Sequence, residues 1–552
     1  MTVSIDELTR SFIEGKLTRR QMLMRLLALG LSLPVASAII AACSNTANAP
    51  KGSTAVFRLG WSDLGNQSLS PASTSTNTQV IYLDPLYDYL TYLKLGSTSF
   101  EIDQGKGLAT KIVQSSDGKS WTFSLREGVK FHNGDPLTAD DVKFTFELYM
   151  SPMSTHGAKP DFIATIASIV VDDPYTVTFH TKQIANDFAI KVSDSIVEPI
   201  LPMKYIQQVG YDVFTQHPIG SGPYKFVKQD LGSLIVMEAV PDHWRGKPTY
   251  KSLEFHLIPE TTTRLAALKA GEVDAIDVPL AQLNQVPNTF RVIETKNATV
   301  AWINFGGLLP ASNPNYNAKV PWTNKDVRVA MSLAIDRNAL VSTVYAGKGQ
   351  PAGIAPWMPG DLGYPVGGNK PASFDLAQAR QLLKNAGYGN GFPVNMQAFV
   401  LVPEVQLPGV AEAVALMWQQ IGLKVTIQPT TFAAIRPAYS ARKLSDSVWP
   451  MRMIPRFDLT GDLTTFFYST GAYPVANSPQ IDKLVLAAQN EPDLQKRVAL
   501  IGQMIDYVNS EQLLIPLVYG SSIVAMNSSV APYPTYLGQG YRLPYASLHP
   551  SS

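Results

Sequence analysis

A chain of 552 residues with one cysteine, Cys43, cannot close an internal disulfide, so its stability must come from packing. Histidine is also scarce: the seven, at 132, 156, 180, 217, 243, 256 and 549, never stand three or four residues apart. With no spare thiol, no protein-built metal site and no cofactor are expected. Charge of either sign is thin, at 16% of residues, and 45 basic against 44 acidic groups leave a net charge of +1. That balance excludes the basic surface needed for nucleic acid. Gly-x-Ser-x-Gly is absent, and no nucleophile and base stand together, so a hydrolase has no support. Gly220-Ser221-Gly222-Pro223 lacks the Lys-Ser/Thr ending and the wider glycine spacing of a phosphate loop, so no nucleotide site follows.

One extended apolar run stands out near the start. Leu26 to Ala42 gives 17 uncharged residues, preceded by Arg19, Arg20 and Arg25 and followed by small and polar residues. This is the outline of an export signal. The alternative, a membrane-spanning helix, needs about 20 apolar residues and is weakened by Gly30, Ser32, Pro34 and Ser37. Ile40-Ala41-Ala42-Cys43 resembles a bacterial lipobox, which implies cleavage before Cys43 and a thioether link from its thiol to diacylglycerol. Thr18-Arg19-Arg20-Gln21-Met22-Leu23 resembles a twin-arginine export motif. Because a basic pair also precedes the apolar run of ordinary signals, the export route stays open. Residues 1–42 are thus expected to be a signal peptide and 43–52 a lipid-anchored tether, since "ANAPKGST" (47–54) is too small and polar to bury a core.

Beyond the tether, strand and helix patterns are mixed and no repeat period recurs, so more than one domain of an α/β class is expected. In "KSWTFSLREGVKF", Trp121, Phe123 and Leu125 alternate with Thr122, Ser124 and Arg126, the period of a half-buried strand. Asn133-Gly134 then supplies a turn, Thr138 an N-cap with Asp141 at the third helical position, and Leu137 with Val142 a hydrophobic staple. "TTTRLAALKAGEVDAIDVP" predicts a short helix ended by Gly271 and followed by a strand. Val327, Ala330, Met331, Ala334, Ile335 and Leu340 share one stripe of what reads as a single amphipathic helix. "TVAWINFGG" (299–307) and "LLIPLVYGSSIVAM" (513–526) are the apolar strands where a crossing between two lobes is expected.

The run "LATKIVQSSDGKSWTFSLREGVKFHNGDPLTADDVKFTF" (108–146) resembles the signature region of the solute-binding proteins of peptide and nickel ABC importers, extracellular binding protein family 5. Further matches follow in family order: Pro218 to Tyr224, Trp244 to Pro248, Ala270 to Asp274, Asp326-Val327-Arg328, Ala334 to Arg337 and Ala386-Gly387-Tyr388. Together they span about 56–526. The resemblance implies an α/β, two-lobe periplasmic-binding-protein-like fold of the large type, with an extra subdomain in the first lobe. That lobe would comprise 53–299 with 516–552, and the second 300–515. It further implies a non-enzymatic receptor, acting as a monomer, that takes an oligopeptide or other small organic solute to ABC permease subunits with a separate ATPase. Its place would be the outer face of the cytoplasmic membrane or the periplasm of a bacterium. A transport-independent sensor or peptide-binding chaperone of the same fold is the alternative.

Peptide-binding members carry, in the loop matching 446–467, a Trp followed three residues later by an Asp that pairs with the ligand's α-ammonium. Here Trp449 is followed at that spacing by Arg452, which reverses the charge and favours a carboxylate or phosphate. Asp458 replaces the missing acid if the loop carries an insertion. Trp449 as a cleft ring and Asn304 as a polar group near the hinge complete the expected ligand-binding set.

Overall fold

The computed structural model describes Gln21 and residues 56–551, apart from 74–78, 98–100, 186, 195–197, 366, 402–403, 456–462, 464, 472, 492, 538 and 541. Arg19, Arg20, Cys43 and Asp458 therefore lie outside the described residues. In chain order the strands are β1 (Val56–Trp61), β2 (Ala109–Gln114), β3 (Ser120–Leu125), β4 (Ile166–Asp173), β5 (Thr176–Thr181), β6 (Tyr224–Asp230), β7 (Leu234–Ala239) and β8 (Ser252–Leu257). They continue with β9 (Ala275–Asp277), β10 (Arg291–Phe305), β11 (Gly349–Pro351), β12 (Pro393–Ala398), β13 (Lys424–Pro429), β14 (Ser447–Met453) and β15 (Leu514–Met526).

Eleven of these form one mixed sheet in the order β13-β12-β14-β10-β15-β9-β1-β8-β7-β6, with β11 on β15. The two longest strands, β10 and β15, are antiparallel neighbours at its centre, and β10 begins eight residues earlier than its apolar stretch suggests. From Ala298 to Phe305 every residue of β10 is buried, because layers cover both faces there. The pairing slips between Thr295 and Thr299, and Asn297 takes φ +51 within that bulge, a conformation asparagine tolerates. β2, β3, β5 and β4 form a separate antiparallel sheet. In β3 the expected alternation holds, with Trp121, Phe123 and Leu125 buried.

Three apolar cores flank the sheets. One gathers Phe57, Leu59, Phe123, Phe146 and Phe255 with Met526 and Tyr545 from the end of the chain. The others centre on Ile303, Met331 and Trp418, and on Trp302, Trp357 and Trp449.

The motifs that carry the resemblance mostly build turns and joints. The helix Ala139–Met150 starts after Thr138, whose backbone N–H donates to Asp141 Oδ2 at 2.8 Å, a cap that stabilises it by about 1 kcal/mol. His132 bridges to the glycine motif: its Nδ1 accepts from Gly220 N–H at 3.1 Å and its Nε2 donates to the Gly222 carbonyl at 3.0 Å. Burial holds this imidazole down at about 4, so it is neutral and structural. A Cβ on Gly222 would stand 2.5 Å from the Leu86 carbonyl carbon, which explains the glycine. The helix Thr261–Ala270 ends at Gly271 with φ +74, and β9 follows, as expected.

One expectation changes. The stripe from Val327 to Leu340 belongs to two helices, Lys325–Leu333 and Arg337–Thr343, because Asp336 caps a second N-terminus by accepting from Ala339 N–H at 3.0 Å. The two motif arginines anchor these helices. Arg328 donates to the carbonyls of Trp322, Thr323, Glu511 and Gln512, and Arg337 to those of Pro516, Ser332 and Ile335.

Candidate ligand-binding site

β14 lies between β10 and β12, so "SVWPMRM" is buried almost throughout. Its antiparallel register on β10 places Trp449 opposite Asn304 and Arg452 opposite Ala301. Successive side chains of a strand point to opposite faces, so Trp449 and Arg452, three apart, do not share one. The structure therefore brings Trp449 and Asn304 together and sets Arg452 against different neighbours.

On the first face, Trp449 packs edge-on against Tyr439, with ring centroids 4.8 Å apart. Asn304 accepts from Trp302 Nε1 at 2.7 Å and donates to the Tyr439 hydroxyl at 3.1 Å, and that hydroxyl donates to the Tyr473 carbonyl at 2.9 Å. Gly306-Gly307 follows β10, and a Cβ on Gly306 would overlap the Leu444 carbonyl oxygen at 1.7 Å. Beside the glycines, Arg442, Trp449 and Asn477 line a cavity of about 20 Å³, room for one water. Trp449 Nε1 and Asn477 Oδ1 are buried there without a hydrogen-bond partner, a donor and an acceptor both unsatisfied. Sequence reasoning missed Asn477; only its place 28 residues along from Trp449, folded back beside it, gives it meaning.

On the other face, Arg452 is half-buried and its Nε donates to the Leu401 carbonyl at 3.3 Å. It lies three residue pairs closer to the β10 bulge than Trp449 does. Its charge is felt by Glu404, which is buried and accepts a hydrogen bond from the Thr299 hydroxyl. The carboxylate fits because Gly520, paired with Thr299, carries no side chain: a Cβ there would stand 2.9 Å from Thr299 Oγ1 and 3.2 Å from Glu404 Oε2. Burial raises the Glu404 acid to about 7, against the opposing pull of Thr299 and Arg452. The Tyr345 hydroxyl lies beside it, but neither that hydroxyl nor Glu404 Oε1 has a partner of good geometry. Glu404 also escaped the sequence reading, although a lone carboxylate in "AFVLVPEVQLP" (398–408) is a signal of a buried acid.

The description "Bacterial extracellular solute-binding proteins, family 5 Middle" matches residues 105–474. The chain belongs to this family. Heme-binding protein A of Haemophilus influenzae is 28% identical over 446 residues, 73% of this chain and 76% of that one. Glutathione-binding protein GsiB of Shigella boydii is 26% identical over 441 residues, 77% of this chain and 82% of its own. The solved structure of HbpA2 from Haemophilus parasuis superposes with a TM-score of 0.75 at 25% identity, covering 90% of this chain and all of that one. The fold is accordingly the α/β, two-lobe type of family 5, and the protein is an extracellular solute-binding protein whose relatives are binding proteins rather than enzymes. Among the described residues, no helix is long and apolar enough to cross a membrane, and no group of three or more His, Cys, Asp or Glu could hold a metal ion.

Proposed function

We propose that the mature chain is a lipid-anchored receptor of an ABC importer, which captures a peptide or other small organic solute between its lobes and delivers it to a membrane permease with a separate ATPase. The observation that carries this reading is the central pair β10 and β15, which joins the sheet half built from residues 56–277 to the half built from 393–453. We assign 53–299 with 516–552 to the first lobe and 300–515 to the second. In support, the first core combines residues 57–275 with 524–548, whereas the third draws only on residues 300–519. Closure about the two strands is then the binding event, and a solute shifts it by its preference for the closed form.

Within the second lobe, Trp449 and Asn304 on one face of β14 and Arg452 on the other are the proposed ligand contacts, with Asp458 on the segment that follows. The charge and planar fork of the half-buried Arg452 favour a carboxylate, phosphate or similar group. Cys43 would hold the receptor at the outer face of the cytoplasmic membrane or in the periplasm. Mass spectrometry of the solute that co-purifies with the native protein identifies the ligand, and small-angle scattering then tests closure. Adding that solute to stripped protein should reduce the radius of gyration; saturation without compaction rejects the hinge. Cys43→Ala should lose diacylglycerol labelling, and normal labelling of that variant rejects the anchor.

A further inference from the structure

A second cavity, of about 330 Å³, lies entirely outside the strands just described. Its wall comes from residues 84–245 and 536–547, with none from β10, β14 or β15. Four cationic side chains line it, Lys106, Arg126, Arg245 and Arg542, against one lining acid, Asp84.

These cations are not equivalent. Arg542 is fully buried and neutralised by Asp84 at 2.7 Å and Asp194 at 2.8 Å, and it lies over the Tyr536 ring at 4.2 Å. Arg245 pairs with buried Asp88 at 2.7 Å. Burial alone would raise the Asp88 acid, but Arg245 with His243 and Trp244 holds it at about 2, so this pair stays charged. Among the described residues Arg126 has no acid partner. Its NH2 group donates to the Gly105 carbonyl at 3.2 Å and its guanidinium lies over the Trp244 ring at 4.6 Å. Lys106 pairs with Asp103 at a loose 3.8 Å.

Three polar atoms of this wall are buried without a hydrogen-bond partner: Arg126 Nε, Arg245 Nε and the Tyr545 hydroxyl. All three can donate, and buried donors are rarely left unmatched. A negative charge in the cavity would compensate Arg126, whose guanidinium pairs with no carboxylate among the described residues. The rings of Trp244 and Tyr536 add flat apolar surface, and the volume admits a small organic molecule.

We infer that this first-lobe cavity is a second binding site, for a small oxyanion carrying a carboxylate or phosphate on a planar apolar body, held by Arg126 and Lys106. It operates separately from solute capture between the lobes.

The test is titration calorimetry of the full mature protein with benzoate, inorganic phosphate and, as a cation of similar shape, benzylamine. Benzoate should saturate at one site, phosphate should compete with it, and benzylamine should not bind. Benzoate without phosphate competition would assign the site to aromatic carboxylates alone. Arg126→Gln should weaken benzoate at least tenfold, because it removes a charge-assisted contact, while leaving the melting temperature and the binding of the co-purified solute as they were. Ser547→Glu, on the exposed rim, places a carboxylate at the cavity and should abolish benzoate binding by occupying its place. The inference fails if neither anion saturates at millimolar concentration, if benzylamine binds as well as benzoate, or if both variants bind benzoate like the parent.

Discussion

Replacing Glu404 by glutamine should make the protein more stable at pH 8 and leave it little changed at pH 4.5. The carboxyl is buried, and its acid midpoint rises from the ordinary 4.5 to about 7 in the folded chain. Between those two values the native protein keeps a proton that the unfolded chain has released, so raising the pH through this window favours unfolding. The stability contributed by the protonated form is present in full below 4.5 and is lost by about 7. The separation corresponds to about 3 kcal/mol, on the order of 5 to 10 °C in melting temperature for a lobe of this size. Glutamine keeps an oxygen to accept from Thr299 and carries no charge to bury. The assay is differential scanning calorimetry of both proteins from pH 4.5 to 8.5, in which the gap between them should open across the window and then stay constant. A gap independent of pH, or a variant less stable than the parent above pH 7, refutes the reasoning; the second outcome would mean that ionised Glu404 is a stabilising partner of Arg452.

Arg452→Ala should raise the Glu404 midpoint further, because the guanidinium pulls it down, and calorimetry across the same pH range reads the shift. The same variant should weaken the co-purified solute about ten- to a hundredfold, through loss of a charge-assisted hydrogen bond of roughly 1.5 to 3 kcal/mol; unchanged affinity removes Arg452 from the site. Arg542→Ala leaves Asp84 and Asp194 buried without their counterion and should cost about 3 to 5 kcal/mol in denaturant unfolding, whereas a loss below about 1 kcal/mol would mean the cluster relaxes into water. Gly222→Ala drives a methyl into the backbone at 85–87 and should lower the melting temperature or the soluble yield, while a parent-like melt would show that the loop can shift.

Local chemistry made parts of this protein legible before any fold was known. The alternation of Trp121, Phe123 and Leu125, the cap at Thr138 and the stop at Gly271 depend on neighbours a few residues away, and each appears where the pattern places it. The single helix expected along the stripe from Val327 to Leu340 failed for a local reason of the same kind, since Asp336 caps a new helix inside a continuous apolar stripe. The family too was legible, because its motifs are joints whose glycines and arginines recur in order along the chain.

The site was less so. Trp449 and Arg452 stand three apart in the sequence, and only the continuation of β14 to Met453 puts them on opposite faces. Thr299, Tyr345, Glu404 and Gly520 span more than 200 positions, yet they meet in one buried cluster because the bulge of β10 against β15 brings them there. Residues from 84 to 547 likewise share the cationic cavity of the first lobe. Sequence by itself determined the elements, their ends and the family, because those rest on short-range hydrogen bonds and apolar periodicity. Which charges face one another, which acid keeps its proton and which donors are left without an acceptor were decided by the tertiary structure alone, because burial and pairing are set by groups far apart along the chain.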